Sequence, residues 1–137
     1  MTSPFRLIVV LAAIIEDRGR FLVTRRLDGT HLGGLWEFPG GKCEPAETHE
    51  ACLSRELREE LDVLSTIGIE VLVTEHAYAD RVIRLHFREA RLHGEPRPAL
   101  GQEIRWVTRQ ELTTLEFPPA DRDLIELLVS RSTAPEA

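Results

Sequence analysis

The stretch from Glu44 to Asp62 limits what this chain can be. It holds seven acids (Glu44, Glu47, Glu50, Glu56, Glu59, Glu60, Asp62) against two bases (Arg55, Arg58), and so carries −5 of a net charge of −6. On a helix, Leu53, Leu57 and Leu61 recur at i, i+4 and i+8 as an apolar stripe, while Glu56, Glu59 and Glu60 share an adjoining face. Like charges at that spacing cost a helix roughly 0.2–0.5 kcal/mol per pair, so a cation or a catalytic task must offset them. Carboxylate oxygens are hard donors that select Mg²⁺ or Mn²⁺ over zinc. The pattern predicts a helix from Pro45 to Leu61 that packs with one side and gathers carboxylates with the other.

Just upstream, Trp36-Glu37-Phe38-Pro39-Gly40-Gly41-Lys42 reads as a strand end running into a glycine turn that delivers the chain to this helix. Backbone without a Cβ lets a ligand approach closely. A carbonyl of Gly40 or Gly41 is placed to join the carboxylates on a metal, and the metal can bridge to a diphosphate that the acidic face alone would repel.

The rest of the chain supplies a scaffold. At 137 residues, with 42% apolar and 29% charged residues, it has the size and composition of one domain, 1–137, whose polar end from Arg131 to Ala137 is expected to fray. Leu7 to Ile15 is too short to cross a membrane, lacks a signal-peptide cleavage site, and reads as a buried strand. Further strands are expected at Arg20 to Thr24, Ile67 to His76, Val82 to Leu92 and Ile104 to Thr108, with a second helix from about Pro119 to Val129. Adjacent strands mixed with strand-helix alternation favour a mixed sheet with helices on its faces. The acidic balance, pI about 5.4, argues against polymeric DNA or RNA as a partner. Cys43 and Cys52, read as plain thiols, suit a reducing cytoplasm. With His49 they make no known zinc spacing, and His76, His86 and His93 read as strand-face or loop residues.

The acidic segment also carries a resemblance. Gly41, five residues, Glu47, seven residues, then Arg55-Glu56-Leu57-Arg58-Glu59-Glu60-Leu61-Asp62-Val63 resembles the Nudix box, Gly-x5-Glu-x7-Arg-Glu-U-x-Glu-Glu-x-Gly-U with U aliphatic. The flanking Trp36 to Lys42, Val23 to Arg26, and Phe117-Pro118-Pro119-Ala120-Asp121 are similar to the MutT-like, nucleotide-sanitising branch. This resemblance implies an α/β/α sandwich with a mixed β-sheet between helices. It also implies Mg²⁺-dependent (or Mn²⁺-dependent) hydrolysis of a nucleoside triphosphate to the monophosphate and pyrophosphate, by a monomer or homodimer. Carried onto matching positions, Glu56, Glu59 and Glu60 become metal ligands with a Gly40 or Gly41 carbonyl; Glu56 or Glu59 would serve the attacking water, and Arg55 would orient the glutamates and pair with Glu47. Arg26, His31, Phe38, Tyr78, Arg81 and Asp121 would contact the substrate. An ionised Asp121, where such enzymes often carry asparagine, only accepts hydrogen bonds.

Two positions depart from the pattern. Asp62 replaces the last glycine of the box, at what reads as a left-handed helix cap that Asp tolerates for ~1 kcal/mol or less. Leu100 stands where relatives often place a further glutamate, and Glu103 in the same loop is the candidate replacement as metal ligand. The rival readings are a Nudix hydrolase for a nucleotide sugar or dinucleotide, and a weakly catalytic nucleotide sensor, which Leu100 would favour.

Overall fold

The computed structural model describes residues 6–30 and 32–131. Eight strands and three helices follow in order: β1 (Arg6–Ile14), β2 (Glu16–Asp17), β3 (Arg20–Arg25), β4 (Trp36–Glu37), β5 (Gly40–Lys42), α1 (His49–Leu61), β6 (Ser65–Ala77), β7 (Arg81–Leu92), β8 (Glu103–Thr108), α2 (Arg109–Leu112) and α3 (Arg122–Ser130). The apolar run at the start of the chain is the central strand. β1 pairs parallel to β7 on one side and antiparallel to β5 on the other, and the sheet runs β5-β1-β7-β6. A second sheet is built on β3, which pairs antiparallel with β2, β4 and β8. The two sheets meet where Ala13 N–H donates to the Pro39 carbonyl at 2.8 Å and Leu22 N–H to the Ile15 carbonyl at 3.0 Å.

Alternation along the strands divides the core into two layers. Leu11, Ala13, Ile15 and Leu22 face α1 and pack on Cys52, Leu53, Leu57 and Leu61. Ala12, Ile14, Phe21, Val23 and Phe87 face the other way, onto Leu112 of α2 and Leu124 and Leu128 of α3. Helices therefore cover both faces of mixed β-structure, which is the expected α/β/α sandwich, with two sheets where the sequence reading had one.

α1 begins at His49, four residues later than the sequence pattern predicts. Ala46 lies at φ 70°, in the left-handed region, and breaks any helix through Pro45. The Thr48 side chain then caps the true start by accepting from Ala51 N–H at 3.1 Å. The turn folds Cys43, just past β5, back against α1, and Cys43 and Cys52 form a disulfide with Cα atoms 5.2 Å apart. The plain-thiol reading is thereby corrected, and with it goes the thiol argument for a reducing compartment. At the other end Asp62 adopts φ 53°, ψ 46°, and its N–H donates to the Arg58 carbonyl at 3.0 Å, so it fills the left-handed cap expected of it. The turn-rich loop before β8 closes over this end: Arg97 N–H donates to Leu61, and Ala99 N–H and the Gln102 amide donate to Glu60, satisfying last-turn carbonyls.

The expected second helix opens instead as a 3₁₀ turn, Pro119–Asp121, before α3 proper. α2, too short for periodicity to reveal, is held by a Thr108–Glu111 capping box. The expected frayed end falls largely on residues 132–137, outside the described residues.

Candidate active site

Arg55 organises the acidic face. Its guanidinium grips Glu47 in a fork, Nε to Oε2 at 2.7 Å and Nη2 to Oε1 at 3.0 Å. From the same group Nη1 reaches Glu56 at 3.1 Å and Glu59 at 3.2 Å, and Nη2 donates to the Lys42 carbonyl at 3.1 Å. One arginine thus ties the turn after β5 to two of the three clustered glutamates. These hydrogen bonds, with that from Glu44 N–H, hold the Glu47 carboxyl down at about 2. Glu47 is therefore an ionised strut for Arg55.

The glycines let the carboxylates approach the strand. A Cβ on Gly41 would collide with the Glu56 carboxylate, and one on Gly40 with the Leu11 carbonyl. Gly40 N–H instead donates to Glu60 Oε1 at 3.3 Å. A side chain at Gly40 would push β5 off β1, and one at Gly41 would displace the Glu56 carboxylate.

Burial makes this cluster costly. Desolvation, with Glu56 and Glu37 close by, pushes the Glu60 carboxyl up to about 8. Desolvation also raises Glu56 despite Arg55, and raises Glu37 despite its 3.0 Å bond to Arg26. Asp121, 6% exposed at the mouth of α3, is pushed up to about 7 by burial and then by Glu37. Four carboxyls whose anionic forms are disfavoured stand in one region, and a bound cation is the ordinary remedy for that. An all-oxygen donor set beside glycine backbone fits Mg²⁺ or Mn²⁺: Glu56, Glu59 and Glu60, with a Gly40 or Gly41 carbonyl, are the residues able to hold it.

Other sequence candidates fall into two groups. Arg26 lies beside the cluster through Glu37, and Asp121 does so by its effect from the same glutamate. Glu37 itself had no role in the sequence reading; its place inside the motif Trp36 to Lys42 was the available signal. The second group has other partners. Glu103 pairs with Arg105 at 3.1 Å and Arg25 at 3.6 Å on the β3–β8 ladder, where strand pairing sets it opposite Arg25. Phe38 is a core residue, stacked on Phe117 at 5.5 Å and edge-on to Phe87 at 6.2 Å, so it packs where substrate contact was expected. Tyr78 and Arg81 stack on each other at 4.7 Å at the tip of the β6–β7 hairpin. Arg81 pairs with Arg6, five residues of β1 from the Leu11 that pairs with Gly41, a span of roughly 17 Å. His31 lies outside the described residues, and Leu100 is 55% exposed on the loop over the end of α1.

The NUDIX domain family model matches residues 10–127. A CTP pyrophosphohydrolase of Escherichia coli (strain K12) is 36% identical over 94% of this chain and 96% of its own length. An 8-oxo-dGTP diphosphatase of Haemophilus influenzae is 34% identical over 93% of this chain and 95% of its own. The solution structure of a MutT Nudix hydrolase from methicillin-resistant Staphylococcus aureus 252 superposes with a TM-score of 0.76 at 33% identity, covering 93% of this chain and 98% of that one.

Proposed function

This chain belongs to the NUDIX domain family and is a MutT-like Nudix hydrolase, and we propose that it cleaves a nucleoside triphosphate, ordinary or base-modified, into the monophosphate and pyrophosphate. The observation that carries this reading is the approach of Glu56 and Glu60 to Gly40-Gly41, with Arg55 linking Glu59 to Glu56 beside them. Mg²⁺ held there supplies charge neutralisation for the phosphates, without which an anionic substrate would be repelled. Arg55 keeps Glu56 and Glu59 aligned, so that one of them can take the proton from water as the water oxygen bonds to a phosphorus of the α–β bridge and the bridging P–O bond breaks, leaving monophosphate and pyrophosphate. Arg26, tethered to Glu37, adds positive charge on the same side for the phosphate chain.

Asp121 reads the base. Burial pushes its carboxyl up to about 7, so near neutrality it exists both ionised and protonated, and in the protonated form it donates from one oxygen and accepts at the other. In that form it does what asparagine does, and the accept-only reading of the sequence is revised. A base edge with adjacent donor and acceptor atoms complements it; the amino-imine edge of cytosine and the oxidised edge of 8-oxoguanine both qualify. Among the described residues no helix is long and apolar enough to cross a membrane. The proposed nucleoside triphosphate substrate is what places the activity in the cytoplasm, where the nucleotide pool lies.

The test is a panel of ordinary and oxidised nucleoside triphosphates, nucleotide sugars and dinucleotides incubated with the protein and Mg²⁺. The reading expects one pyrophosphate per monophosphate from triphosphates, with a cytosine or 8-oxoguanine nucleotide ranked first. Release of orthophosphate, faster cleavage of a sugar or dinucleotide, or binding without turnover would overturn it.

A further inference from the structure

Away from the glutamate cluster, at the opposite end of α1, lies a second group of metal-binding side chains. His49 is the first residue of the helix, His86 lies on β7 and Glu70 on the edge strand β6. Each offers one donor atom, and these atoms lie within 4.8 Å of one another. The two imidazole rings lie with centroids 4.4 Å apart, tilted at 54° to one another, and His86 Nδ1 is 2.6 Å from Glu70 Oε1. Only 10% of the His86 side chain is exposed.

The backbone is irregular where this grouping needs it. Leu72 pairs with Phe87 and packs on the α3 side of the sheet, and in a regular strand Glu70, two residues earlier, would share that face. His86, adjacent to Phe87, points to the α1 side. Register shifts on both sides of Glu70 turn its carboxylate onto the His86 face, the re-aiming that a bulge permits. The neighbouring charge is already matched: Arg88, two residues along β7, bonds Glu50 at 3.2 Å and the Gly68 carbonyl at 2.9 Å.

We propose that His49, Glu70 and His86 form a second cation site that takes a borderline transition-metal ion such as Zn²⁺, joining the start of α1 to β6 and β7. Two imidazoles and one carboxylate are donors that zinc accepts and Mg²⁺ does not favour, with a fourth position left for water. Bonds of about 2.0–2.1 Å in a tetrahedron bring donor atoms to about 3.4 Å apart, so rotation of the side chains from their present separation closes the site. Sequence spacing concealed it, because the three residues come from separate elements.

The experiment titrates the full chain with Zn²⁺ in saturating Mg²⁺, by calorimetry and by Zn²⁺-dependent change in Tm, for the wild type, His49→Gln and Glu59→Gln. His49 lies outside the core clusters, so its variant is expected to fold. The wild type and Glu59→Gln are expected to take one Zn²⁺ and gain Tm, and His49→Gln to bind it at least about tenfold more weakly, with no gain in Tm. Co²⁺ in place of Zn²⁺ should give a tetrahedral visible spectrum that His49→Gln lacks. Equal Zn²⁺ affinity in the wild type and His49→Gln, or loss of the Zn²⁺ equivalent in Glu59→Gln, would overturn the proposal.

Discussion

The two ends of α1 face the same sheet and treat charge in opposite ways. At the start, Glu50 meets Arg88 and Glu70 meets His86, so each carboxylate has its own nitrogen partner. Towards the end, Glu56 and Glu59 share Arg55 with Glu47, and Glu60 has no arginine: it accepts from the Gly40 N–H while Glu56 and Glu37 crowd it. Paired charges settle a fold, whereas gathered like charges destabilise it unless something else binds there. The end that the protein leaves uncompensated is the end where chemistry is expected.

The contrast can be broken in steps. The largest effect belongs to Glu59→Gln, which should lose on the order of 10²–10³ in kcat, the scale of one electrostatic group that acts in the transition state. Glu59 is exposed and off the Leu53-Leu57-Leu61 stripe, so Tm should hold within a few degrees. Steady-state rates and a thermal melt check both, and undiminished turnover would remove Glu59 from the metal shell. Next comes Arg55→Gln, which frees Glu47, Glu56 and Glu59 together. Here rate and Tm should fall together, since Glu56 is left part-buried without its cation, and a drop in rate alone would show that Arg55 acts on substrate instead.

Third is the pH response of the metal-free protein. Glu60 moves from an ordinary 4.5 to about 8 on folding, and Asp121 from 3.8 to about 7. Both retain protons in the fold that the unfolded chain has released, so their contribution is fully present below about pH 4 and declines as pH rises towards 8. Metal-free Tm should therefore drop between pH 5 and pH 8. Glu60→Gln should lessen the slope, and added Mg²⁺ should protect increasingly at higher pH because it needs the ionised carboxylates. An identical slope in Glu60→Gln would show that another group is responsible. The smallest effect on rate is expected from Asp121→Asn, which keeps a donor and an acceptor but removes the titration. Substrate ranking across pH 6 to 8 should become flatter, and a ranking as pH-dependent as in the wild type would discard Asp121 as base reader.

What could be read before any fold was known is local. The leucine stripe, the glutamate face, the left-handed cap at Asp62 and the apolar run that became β1 all depend on neighbours a few residues away, and backbone periodicity sets those. A mixed sheet with helices on its faces followed from them, because alternating strands and a one-sided helix have few ways to bury their apolar faces, while the α/β/α sandwich was implied by the family resemblance. The Cys43–Cys52 bond, the pairing of Glu103 with Arg25 and the burial of Phe38 had no such signal, and for the grouping of Glu37 with Glu60 and Asp121 the sequence offered only Glu37's place in the motif Trp36 to Lys42. Each is decided by which distant strand lies alongside. Desolvation and ion pairing depend on the neighbours a residue has in space, and only the assembled layers determine who those neighbours are.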